Sequence, residues 1–478
     1  MLAAGRAVAD AARALAADTG QTILVVAGPG NNGGDAWVAA RHLAEGFHRV
    51  TVLDAAGTPP KAPEAREARA AFEERGGRVV REWPALAPAL VVDGLLGIGL
   101  ARDVDPALHR IIERMNGSGA PVLAIDVPSG LDSATGRVRG IAVHATRTLT
   151  FIAQKVGLHT RDGPDCCGTI TCDALGLGEA VAREAHGLLL TPATVAPWLA
   201  PRRRNSHKGD FGTLAVVGGN RGMVGAALLA ARAGLLAGAG RVVVALLGPD
   251  APAVDAAQPE LMLRGVEDAL AADVIVAGPG AGRSASATSP SIFERTTLPA
   301  LLGRPASLVL DADALNAIAF DEGLQKAVAA RKAATILTPH PAEAARLLGT
   351  KTAQVQDDRL AAALELARRF RAHVVLKGAG SICASPDGRW AVNATGNPAL
   401  STAGSGDVLA GMIGALLCQG LDAPRALQYA VCVHGAAADA CVARGAGPVG
   451  LTASEVALEA RAVINAWVEG RAPAAMEE

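Results

Sequence analysis

The 478-residue chain has few aromatic residues, almost no net charge and no long apolar run. Aromatic residues make up 3% of it while glycine contributes 55 residues, a composition typical of short, tightly packed βα units. The formal net charge of −1, with both signs interspersed, lacks the basic footprint of a protein that binds nucleic acid or an anionic membrane. No stretch reaches the roughly 18 consecutive apolar residues of a membrane span. We therefore expect neither nucleic acid nor a membrane as a partner.

Cysteine is also scarce, and its pattern indicates a reducing compartment. The seven cysteines are an odd number and lack the paired CxxC spacing of a zinc site. Cys166, Cys167 and Cys172 lie near His159 in sequence, but buried small side chains explain them better than a metal. The first 16 residues have apolar positions at helical spacing with charges between them, which indicates an amphipathic helix and not a signal peptide. We expect a cytoplasmic protein.

Short β-rich runs alternate with Ala- and Leu-rich helical stretches along the whole chain, which predicts an α/β fold with parallel sheets covered on both faces. A chain of this length exceeds one ordinary core, and a Pro- and Arg-rich stretch after about residue 190 marks a linker. We therefore predict two domains, residues 1–195 and residues 196–478. Predicted strands of the first domain are 23–27, 50–53, 90–93, 122–126 and 148–153, and those of the second begin within 213–219, 241–247, 274–280, 307–315, 335–343 and 373–381.

A glycine-rich loop follows the first predicted strand. The sequence GPGNNGGDAW at 28–37 can adopt positive φ and wrap an anion at a helix start, with Asn32 and Asp35 adding polar groups. A purely structural turn is the alternative. The loop is not interpreted as the dinucleotide fingerprint, although Gly28, Gly30 and Gly33 fit that pattern, because the NNGGD insert is more specific than the glycines.

Polar residues end two further strands of the first domain. Asp93 and Asp126 follow predicted strands, and Ser129 lies in a stiff turn between proline and glycine. Oxygen donors from Asn32, Asp93 and Ser129 suit a hard monovalent or divalent cation. Two carboxylates facing one pocket could equally transfer a proton, with Lys155 assisting. The residues alone leave both possibilities open.

The second domain carries a different motif, STAGSGDVLAG at Ser401–Gly411. Its small residues admit an anion to a helix N-terminus, and Asp407 is placed as a general base for an acceptor hydroxyl. The alternative is a plain helix start with Asp407 as its N-cap. Lys377 begins the loop KGAGS at a strand end, and His340 is fixed between two prolines as a ligand-contacting group. Since no Walker GxxxxGK[ST] loop is present, these residues predict phosphoryl chemistry at a non-Walker site.

The order of these motifs resembles the bacterial bifunctional NAD(P)H-hydrate repair enzymes over nearly the whole chain. The motifs that carry the resemblance are GPGNNGGD, DGLLGIG, DVPSGLDSATG, SHKGDFGTLAVVGG, AGPG, LDADALN, LTPHPAEAARLL, LKGAGS and NPALSTAGSGDVLAG. The resemblance implies an N-terminal epimerase domain, a Rossmann-like three-layer sandwich, and a C-terminal ribokinase-like α/β dehydratase domain. The epimerase would interconvert the R and S forms of hydrated NADH or NADPH, and the dehydratase would dehydrate the S form at the expense of ADP, giving AMP and phosphate.

The resemblance also implies the site residues. Asp126 and Asp407 would be catalytic. Asn32, Asp93 and Ser129 would hold K⁺ in the epimerase domain, and Mg²⁺ would accompany ADP in the dehydratase domain. Hydrate would be bound by Asn31, Asn32, Gly33, Gly34, Asp35, Gly97, Ile98, Gly99, Leu100, Ala101, Arg102, Asp103 and Asp126 in the first domain and by Ala226, Gly280, His340 and Asp407 in the second. The nucleotide would be bound by Lys377, Gly378, Ala379, Gly380, Ser381, Gly404 and Gly406.

The resemblance implies a route in which the hydrate's hydroxyl is phosphorylated and phosphate then leaves. Two departures accompany it: Ala36 stands where the family's loop usually has a final glycine, and DGLLGIG replaces DALFGTG. The N-terminal helix begins inside the family's corresponding segment, so we expect a shortened epimerase domain. The partners would be hydrated NADH or NADPH and ADP, and we expect a homo-oligomer. The alternative is a ribokinase-like small-molecule kinase with a non-catalytic N-terminal binding domain.

Overall fold

In the computed structural model, residues 1–16, 22–185, 187–282 and 291–471 are described. The chain divides into two compact units, and the first ends at Ala185. The strands of the first unit are β1 (Thr22–Ala27), β2 (Arg49–Asp54), β3 (Arg78–Val80), β4 (Leu90–Gly94), β5 (Val122–Ile125), β6 (Arg147–Phe151) and β7 (Thr169–Asp173). Its helices are α1 (Leu2–Leu15), α2 (Asn31–Glu45), α3 (Pro63–Glu74), α4 (Pro106–Asn116), α5 (Val156–His159), α6 (Gly163–Cys167) and α7 (Gly178–Glu184).

The sheet of the first unit is parallel throughout and has the order β3-β2-β1-β4-β5-β6-β7. Alternate residues of β1 face opposite layers: Ile23 and Val25 pack in one core with α1, α2 and α3, whereas Leu24 and Val26 pack in another with α4. Helices therefore cover both faces of the sheet, which makes a three-layer sandwich. Strand order reverses between β1 and β4, and ligands of open α/β sheets bind at such a switch point.

The second unit is larger. Its strands are β8 (Gly187–Leu190), β9 (Thr213–Gly218), β10 (Arg241–Leu246), β11 (Met262–Leu263), β12 (Val274–Ala277), β13 (Ser307–Leu310), β14 (Thr335–Leu337), β15 (His373–Leu376), β16 (Ile382–Ala384) and β17 (Trp390–Asn393). Its helices are α8 (Pro192–Val195), α9 (Val224–Leu236), α10 (Val266–Ala269), α11 (Leu298–Leu302), α12 (Asp313–Phe320), α13 (Glu322–Ala329), α14 (Pro341–Leu348), α15 (Thr352–Asp357), α16 (Arg359–Phe370), α17 (Ser405–Cys418), α18 (Ala423–Ala443) and α19 (Ala453–Val468).

The sheet of the second unit has the order β11-β10-β9-β12-β13-β14-β15-β16-β17-β8. It is parallel from β11 to β15, and β16 then runs antiparallel to both of its neighbours. Leu214 and Val216 of β9 face the core built with α9, α17, α18 and α19, whereas Ala215 and Val217 face the core built with α11 to α14 and α16. The order reverses between β9 and β12, and the carboxyl ends of β9, β12, β13, β14 and β15 form one edge.

The predicted strands are confirmed, but the boundary between the units lies earlier than the predicted residue 195. Strand β8 pairs in parallel with β17 of the second sheet. Leu190, Val195 and Ala196 belong to the hydrophobic core of the second unit. The stretch after residue 187 therefore begins the second unit, because it completes the edge of that sheet instead of linking two finished domains.

One helix in the described part of the chain, α18, is long and apolar enough to cross a membrane by length and composition. Its residues lie mostly inside the second unit, with 67% of the most apolar window buried. Such burial is typical of the core helix of an α/β domain, and α18 packs against α17 and α19.

Candidate functional site

The first unit contains a cavity of about 490 Å³ at its switch point. Two loops form its walls, the one that follows β1 and the one that follows β4. Its lining residues are Pro29, Gly30, Asn31, Asn32, Asp35, Leu95, Leu96, Gly97, Ile98, Gly99, Leu100, Ala101, Arg102 and Asp126. A cavity of this size accommodates a ligand of the size of a small cofactor fragment.

Most residues predicted to bind substrate line this cavity, but Gly33, Gly34 and Asp103 do not. A Cβ on Gly33 would lie 1.9 Å from the carbonyl oxygen of Gly28, so α2 packs directly on the loop before it. A Cβ on Gly34 would lie 2.6 Å from the side chain of Met1. These two glycines thus allow close packing of the helix that presents Asn31, Asn32 and Asp35, while Asp103 is exposed beyond the cavity lining.

Among the cavity residues, Asp126 combines an unusual backbone conformation with a carboxylate held by several hydrogen bonds. It follows β5 with φ of +67°, a left-handed backbone conformation that residues other than glycine rarely adopt. Lys155 Nζ lies 2.5 Å from Asp126 Oδ1 and also donates to Thr150 Oγ1 at 2.8 Å. Thr150 Oγ1 itself donates to Asp126 Oδ1 at 3.0 Å. The carboxylate is therefore fixed beside a cation, and Lys155 has a larger share in the site than sequence reasoning gave it.

Asp35 is the second carboxylate that lines the cavity. Burial raises its pKa to about 6; the N-terminal ammonium group lowers the pKa and the charge of Asp126 raises it. Carboxyl groups with different environments in one pocket are suited to different steps of acid and base chemistry.

The residues predicted to hold a cation do come together. Ser129 donates through its backbone N–H to Asp93 Oδ2 at 2.8 Å and through its hydroxyl to Asp93 Oδ1 at 2.6 Å. Asn32 Nδ2 donates to the carbonyl oxygen of Leu96 at 2.7 Å, and the N–H of Leu96 donates to Ser129 Oγ. Asp93 is fully buried, and burial raises its pKa to about 6 in spite of the hydrogen bonds from Ser129 and Leu95.

In the second unit, Lys377 is the centre of the site. Its Nζ lies 3.0 Å from Asp311 Oδ1, which also accepts a hydrogen bond from Thr338 Oγ1 at 2.6 Å. A Cβ on Gly406 would lie 3.1 Å from the same Nζ, so the N-terminus of α17 packs against the ammonium group. Burial alone would lower the pKa of Lys377, but the charges of Asp311, Glu343 and other carboxylates outweigh it and raise the pKa.

Asp407 occupies the first turn of α17, after Gly404 at φ of +87°. The pKa of Asp407 is raised to about 7, chiefly by burial and then by the charge of Asp311, against the lowering effect of Lys377. A carboxylate poised near neutral pH is matched to the task of a general base. The hydrogen-bonded cap that was the alternative is not found, because no side-chain hydrogen bond caps this helix start.

His340 is the N-cap of α14 and forms a reciprocal pair with Glu343. The backbone N–H of Ala342 donates to His340 Nδ1 at 3.1 Å, and His340 Nε2 lies 3.3 Å from Glu343 Oε1. Burial lowers the pKa of His340, with contributions from Lys377 and Arg346. Burial raises the pKa of Glu343 to about 7. The neutral imidazole is thereby held with Nδ1 as acceptor and with 47% of its side chain exposed.

Gly280 and Ala226 lie at the switch between β9 and β12. A Cβ on Gly280, where φ is +59°, would lie 3.1 Å from Ala226 Cβ and 2.5 Å from the carbonyl oxygen of Met223. Two residues further on, the N–H of Gly282 donates to Asp313 Oδ2 at 2.9 Å. Asp313 also contributes to the raised pKa of Asp407, so this loop and Asp407 belong to one electrostatic environment.

The loop Lys377–Ser381 follows β15 and has two glycines with positive φ, Gly378 at +139° and Gly380 at +59°. Ser381 Oγ donates to the carbonyl oxygen of Gly378 at 3.1 Å. Such a loop presents backbone N–H groups to an anion. Sequence reasoning missed several residues that support this site: Asp311, Thr338, Glu343 and Arg359. Of these, Asp311 and Thr338 were detectable, since each directly follows a strand within a quoted motif.

Comparison with known proteins matches both units. A sequence model of the family described as NAD(P)H-hydrate dehydratase matches residues 214–459, and one described as YjeF-related protein N-terminus matches residues 1–157. The bifunctional NAD(P)H-hydrate repair enzyme Nnr of Escherichia coli (strain K12) is 37% identical over 477 residues, which cover 97% of this chain and 89% of that protein. The chain belongs to the bifunctional NAD(P)H-hydrate repair enzyme family.

A second member of the repair-enzyme family, from Coxiella burnetii, is 38% identical over 459 residues and covers 93% of this chain and 90% of its own length. A solved ribokinase-like superfamily protein of Enterococcus faecalis V583 has a TM-score of 0.51 at 23% identity and covers 59% of this chain and 97% of that protein. The predicted family and the predicted fold class, a Rossmann-like unit followed by a ribokinase-like unit, are therefore confirmed.

Proposed function

We propose that the chain repairs hydrated NADH and NADPH in two steps, epimerisation of the R and S forms in the first unit and ADP-dependent dehydration of the S form in the second. Membership of the bifunctional repair-enzyme family over both units is the observation that carries this proposal. The same observation disfavours the alternative of a small-molecule kinase with a non-catalytic first domain. The geometry of each unit supports a separate role in the sequence of steps.

In the first unit, epimerisation must break and re-form a bond at the ring carbon that carries the hydroxyl. We propose that Asp126, held beside Lys155, accepts the hydroxyl proton as the bond from that carbon to the ring nitrogen breaks, and that protonated Asp35, which also lines the cavity, donates its proton to the nitrogen. When the nitrogen attacks the other face of the resulting carbonyl carbon, Asp35 takes its proton back and Asp126 returns its proton to the oxygen. The pKa of Asp35, raised to about 6 by burial, makes that group able to carry a proton near neutral pH. The apolar loop around Ile98 would limit the entry of water.

K⁺ fits the oxygen donors of the first unit. Asp93 is fully buried, and burial raises its pKa to about 6. Asn32, Asp93 and Ser129 offer amide, carboxylate and hydroxyl oxygens, the ligands of hard cations. We propose that these residues hold K⁺, which would supply the positive charge that keeps Asp93 ionised and the loop after β4 in place.

In the second unit, we propose that Asp407 removes the proton from the hydrate's hydroxyl as the oxygen attacks the terminal phosphorus of ADP. The bond between that phosphorus and the bridging oxygen breaks, AMP departs, and Lys377 with the N-terminus of α17 balances the charge. Phosphate then leaves with the former hydroxyl oxygen as the adjacent ring carbon loses a proton, which restores the double bond of NAD(P)H. His340, Gly280 and Ala226 would hold the hydrated ring.

Mg²⁺ would come with the nucleotide. Among the residues that the structure describes, no group of three or more His, Cys, Asp or Glu side chains is arranged to hold a metal ion. Mg²⁺ in phosphoryl-transfer sites is held by one or two carboxylates together with substrate phosphates and water. The carboxylates of Asp311, bonded to Lys377, and Asp313, whose charge acts on Asp407, fit that pattern, and the ion would offset phosphate charge there.

Regeneration of the reduced cofactor tests this function. Purified protein incubated with S hydrate, Mg²⁺ and ADP should restore the near-ultraviolet absorbance of NADH, and AMP should appear in equal amount. A mixture of R and S hydrate should be consumed completely, whereas an Asp126→Ala variant should leave the R form behind. Absence of cofactor recovery from S hydrate with ADP, with ATP tested in parallel, would contradict the proposal.

We further propose that the protein is a cytoplasmic homo-oligomer. All seven cysteines of the chain are free thiols, which is compatible with a reducing compartment. Light scattering of the purified chain and fractionation of its source cells test the two statements, and a monomer or a membrane-bound fraction would contradict them.

A further inference from the structure

A buried arginine lies under the loop Lys377–Ser381. Arg359 begins α16 and is only 2% exposed. Its Nη2 donates to the carbonyl oxygens of Leu376 and Lys377, both at 3.2 Å, and its Nη1 donates to Gln356 Oε1 at 2.8 Å. The guanidinium group therefore joins the end of β15 to the helical segment around Gln356.

The contact between Arg359 and the loop is close enough to explain why position 378 is a glycine. A Cβ on Gly378 would lie 2.9 Å from both Nη1 and Nη2 of Arg359, at a backbone φ of +139°. The backbone at Gly378 thus lies close to the guanidinium group, and a side chain at this position is disfavoured by contact as well as by conformation.

This contact fixes the direction of the loop's hydrogen-bond donors. In a planar trans peptide the C=O and N–H point to opposite sides. Because the carbonyl oxygen of Lys377 points toward Arg359, the N–H of Gly378 in the same peptide points away from it, toward the exposed face of the loop. The preceding N–H, that of Lys377, is already bonded to the carbonyl oxygen of Pro339 at 2.9 Å. Gly378 is the first residue that can offer its N–H to an anion.

We propose that Arg359 is a positioning residue for the diphosphate of the nucleotide: it orients the Lys377–Ser381 loop and adds a buried positive charge beneath it. The inference rests on the proposed binding of ADP at this loop. Arginine suits the task because its planar fork serves two carbonyl oxygens at once and stays charged in a buried place. Lysine, a single point donor, cannot reproduce that geometry.

The chain offers a matched control in Arg331. This guanidinium group also serves backbone carbonyl oxygens, donating to those of Arg304 at 2.9 Å and Ala306 at 2.6 Å, but at the amino ends of β13 and β14. Arg331→Lys removes the same kind of interaction from the same unit, at the sheet edge opposite the nucleotide loop.

The test is calorimetric titration of the full chain with ADP, together with KM for ADP, kcat, epimerisation rate and melting temperature. We expect Arg359→Lys to raise Kd and KM for ADP about tenfold, the effect of one lost charged hydrogen bond. We expect kcat at saturating ADP to stay near wild type, because the lost interaction stabilises bound ADP equally before and during the reaction. The epimerisation rate should also stay near wild type, because epimerisation takes place in the first unit. Gln356→Met, which removes one hydrogen bond from the guanidinium group, should give a smaller rise, and Arg331→Lys none.

The outcomes separate the inference from the function on which it rests. If the wild-type chain does not bind ADP, the proposed dehydratase site is contradicted and the inference with it. If the wild-type chain binds ADP while Arg359→Lys and Gln356→Met bind it equally well, only the role of Arg359 is overturned. An equal loss of ADP affinity in Arg331→Lys would also overturn it, because the effect would then be one of general stability. If Arg359→Lys does not fold, Gln356→Met decides.

Discussion

Exchange of Asp407 for asparagine removes the proposed general base with little change in shape. Asparagine keeps the size of the side chain in the first turn of α17 but cannot accept the hydroxyl proton. A positioned general base contributes typically about 10² to 10⁴ in rate, so dehydration should fall by that factor. Epimerisation depends on Asp126 in the other unit and should continue at the wild-type rate.

The pH dependence of the wild-type enzyme follows from the pKa of Asp407, which burial raises to about 7. Below that value the carboxyl group is mostly protonated and cannot act as a base; at pH 6 roughly one tenth of it is ionised. Because kcat/KM reports the pKa values of the free enzyme, kcat/KM for dehydration should rise with pH and level off above about pH 7. In the Asp407→Asn variant this rise should be absent.

The same exchange should not destabilise the fold. Because the pKa of Asp407 is raised by burial and Asp311, the folded state holds the proton more tightly than the unfolded chain, and the ionised carboxylate reduces stability increasingly as pH rises from about 4 to 7. The rise from 3.8 to about 7 corresponds to at most about 4 kcal/mol. Asparagine removes this cost, so the melting temperature at neutral pH should be unchanged or higher.

The assay is NADH recovery from S hydrate with ADP across a pH series, with R-to-S conversion and thermal melting measured on the same preparations. Asp387→Asn is the control, since it also removes one carboxylate from the second unit but at an exposed position in the turn after β16, and it should dehydrate at the wild-type rate. Dehydration at near wild-type rate in Asp407→Asn, or an unchanged pH profile in that variant, would refute the assignment of the base.

Three further experiments test the remaining parts of the site. Lys377→Met removes the ammonium group proposed to contact the phosphates, so ADP binding should be lost in calorimetry; unchanged ADP affinity would contradict the nucleotide role. The same exchange leaves the buried carboxylate of Asp311 without its partner, so the free energy of unfolding should fall by about 3 to 5 kcal/mol in denaturant melts. Asp126→Ala should stop R-to-S conversion, followed by chiral chromatography, and leave dehydration of pure S hydrate intact; continued conversion would argue for a non-catalytic first unit. Gly280→Ala places a Cβ 2.5 Å from the carbonyl oxygen of Met223 and should lower kcat/KM for hydrate about tenfold, as a misplaced substrate does, with ADP affinity retained; an equal loss of ADP affinity would contradict a hydrate-binding role.

The positions of the strands and the motifs that end them were accessible from the sequence, because buried parallel strands are short apolar runs and their carboxyl ends meet at one edge. Asp126 was found in this way, and Asp407 was found from the small residues at the start of its helix. Lys155 was found as an assistant only, since the sequence does not show that the turn after β6 brings its ammonium group to Asp126 Oδ1.

Other features depend on contacts between distant segments. Strand β8 looked like the end of the first unit, and only its pairing with β17 assigns it to the second sheet. Gly33 looked like a substrate contact, whereas its place against Gly28 follows from the packing of α2 on its own loop. Arg359 stands in an ordinary amphipathic helix, and nothing in the local sequence reveals that α16 carries its guanidinium group under Gly378.

The central claim, that phosphate leaves with the hydrate's own oxygen, is tested most directly by isotope labelling. S hydrate whose hydroxyl carries a heavy oxygen isotope is converted with ADP, and the released phosphate is examined by mass spectrometry. The account predicts that the label appears in the inorganic phosphate, one labelled oxygen for each NADH formed, because the oxygen that attacks ADP is the one that departs. Label found in water, with unlabelled phosphate, would contradict it.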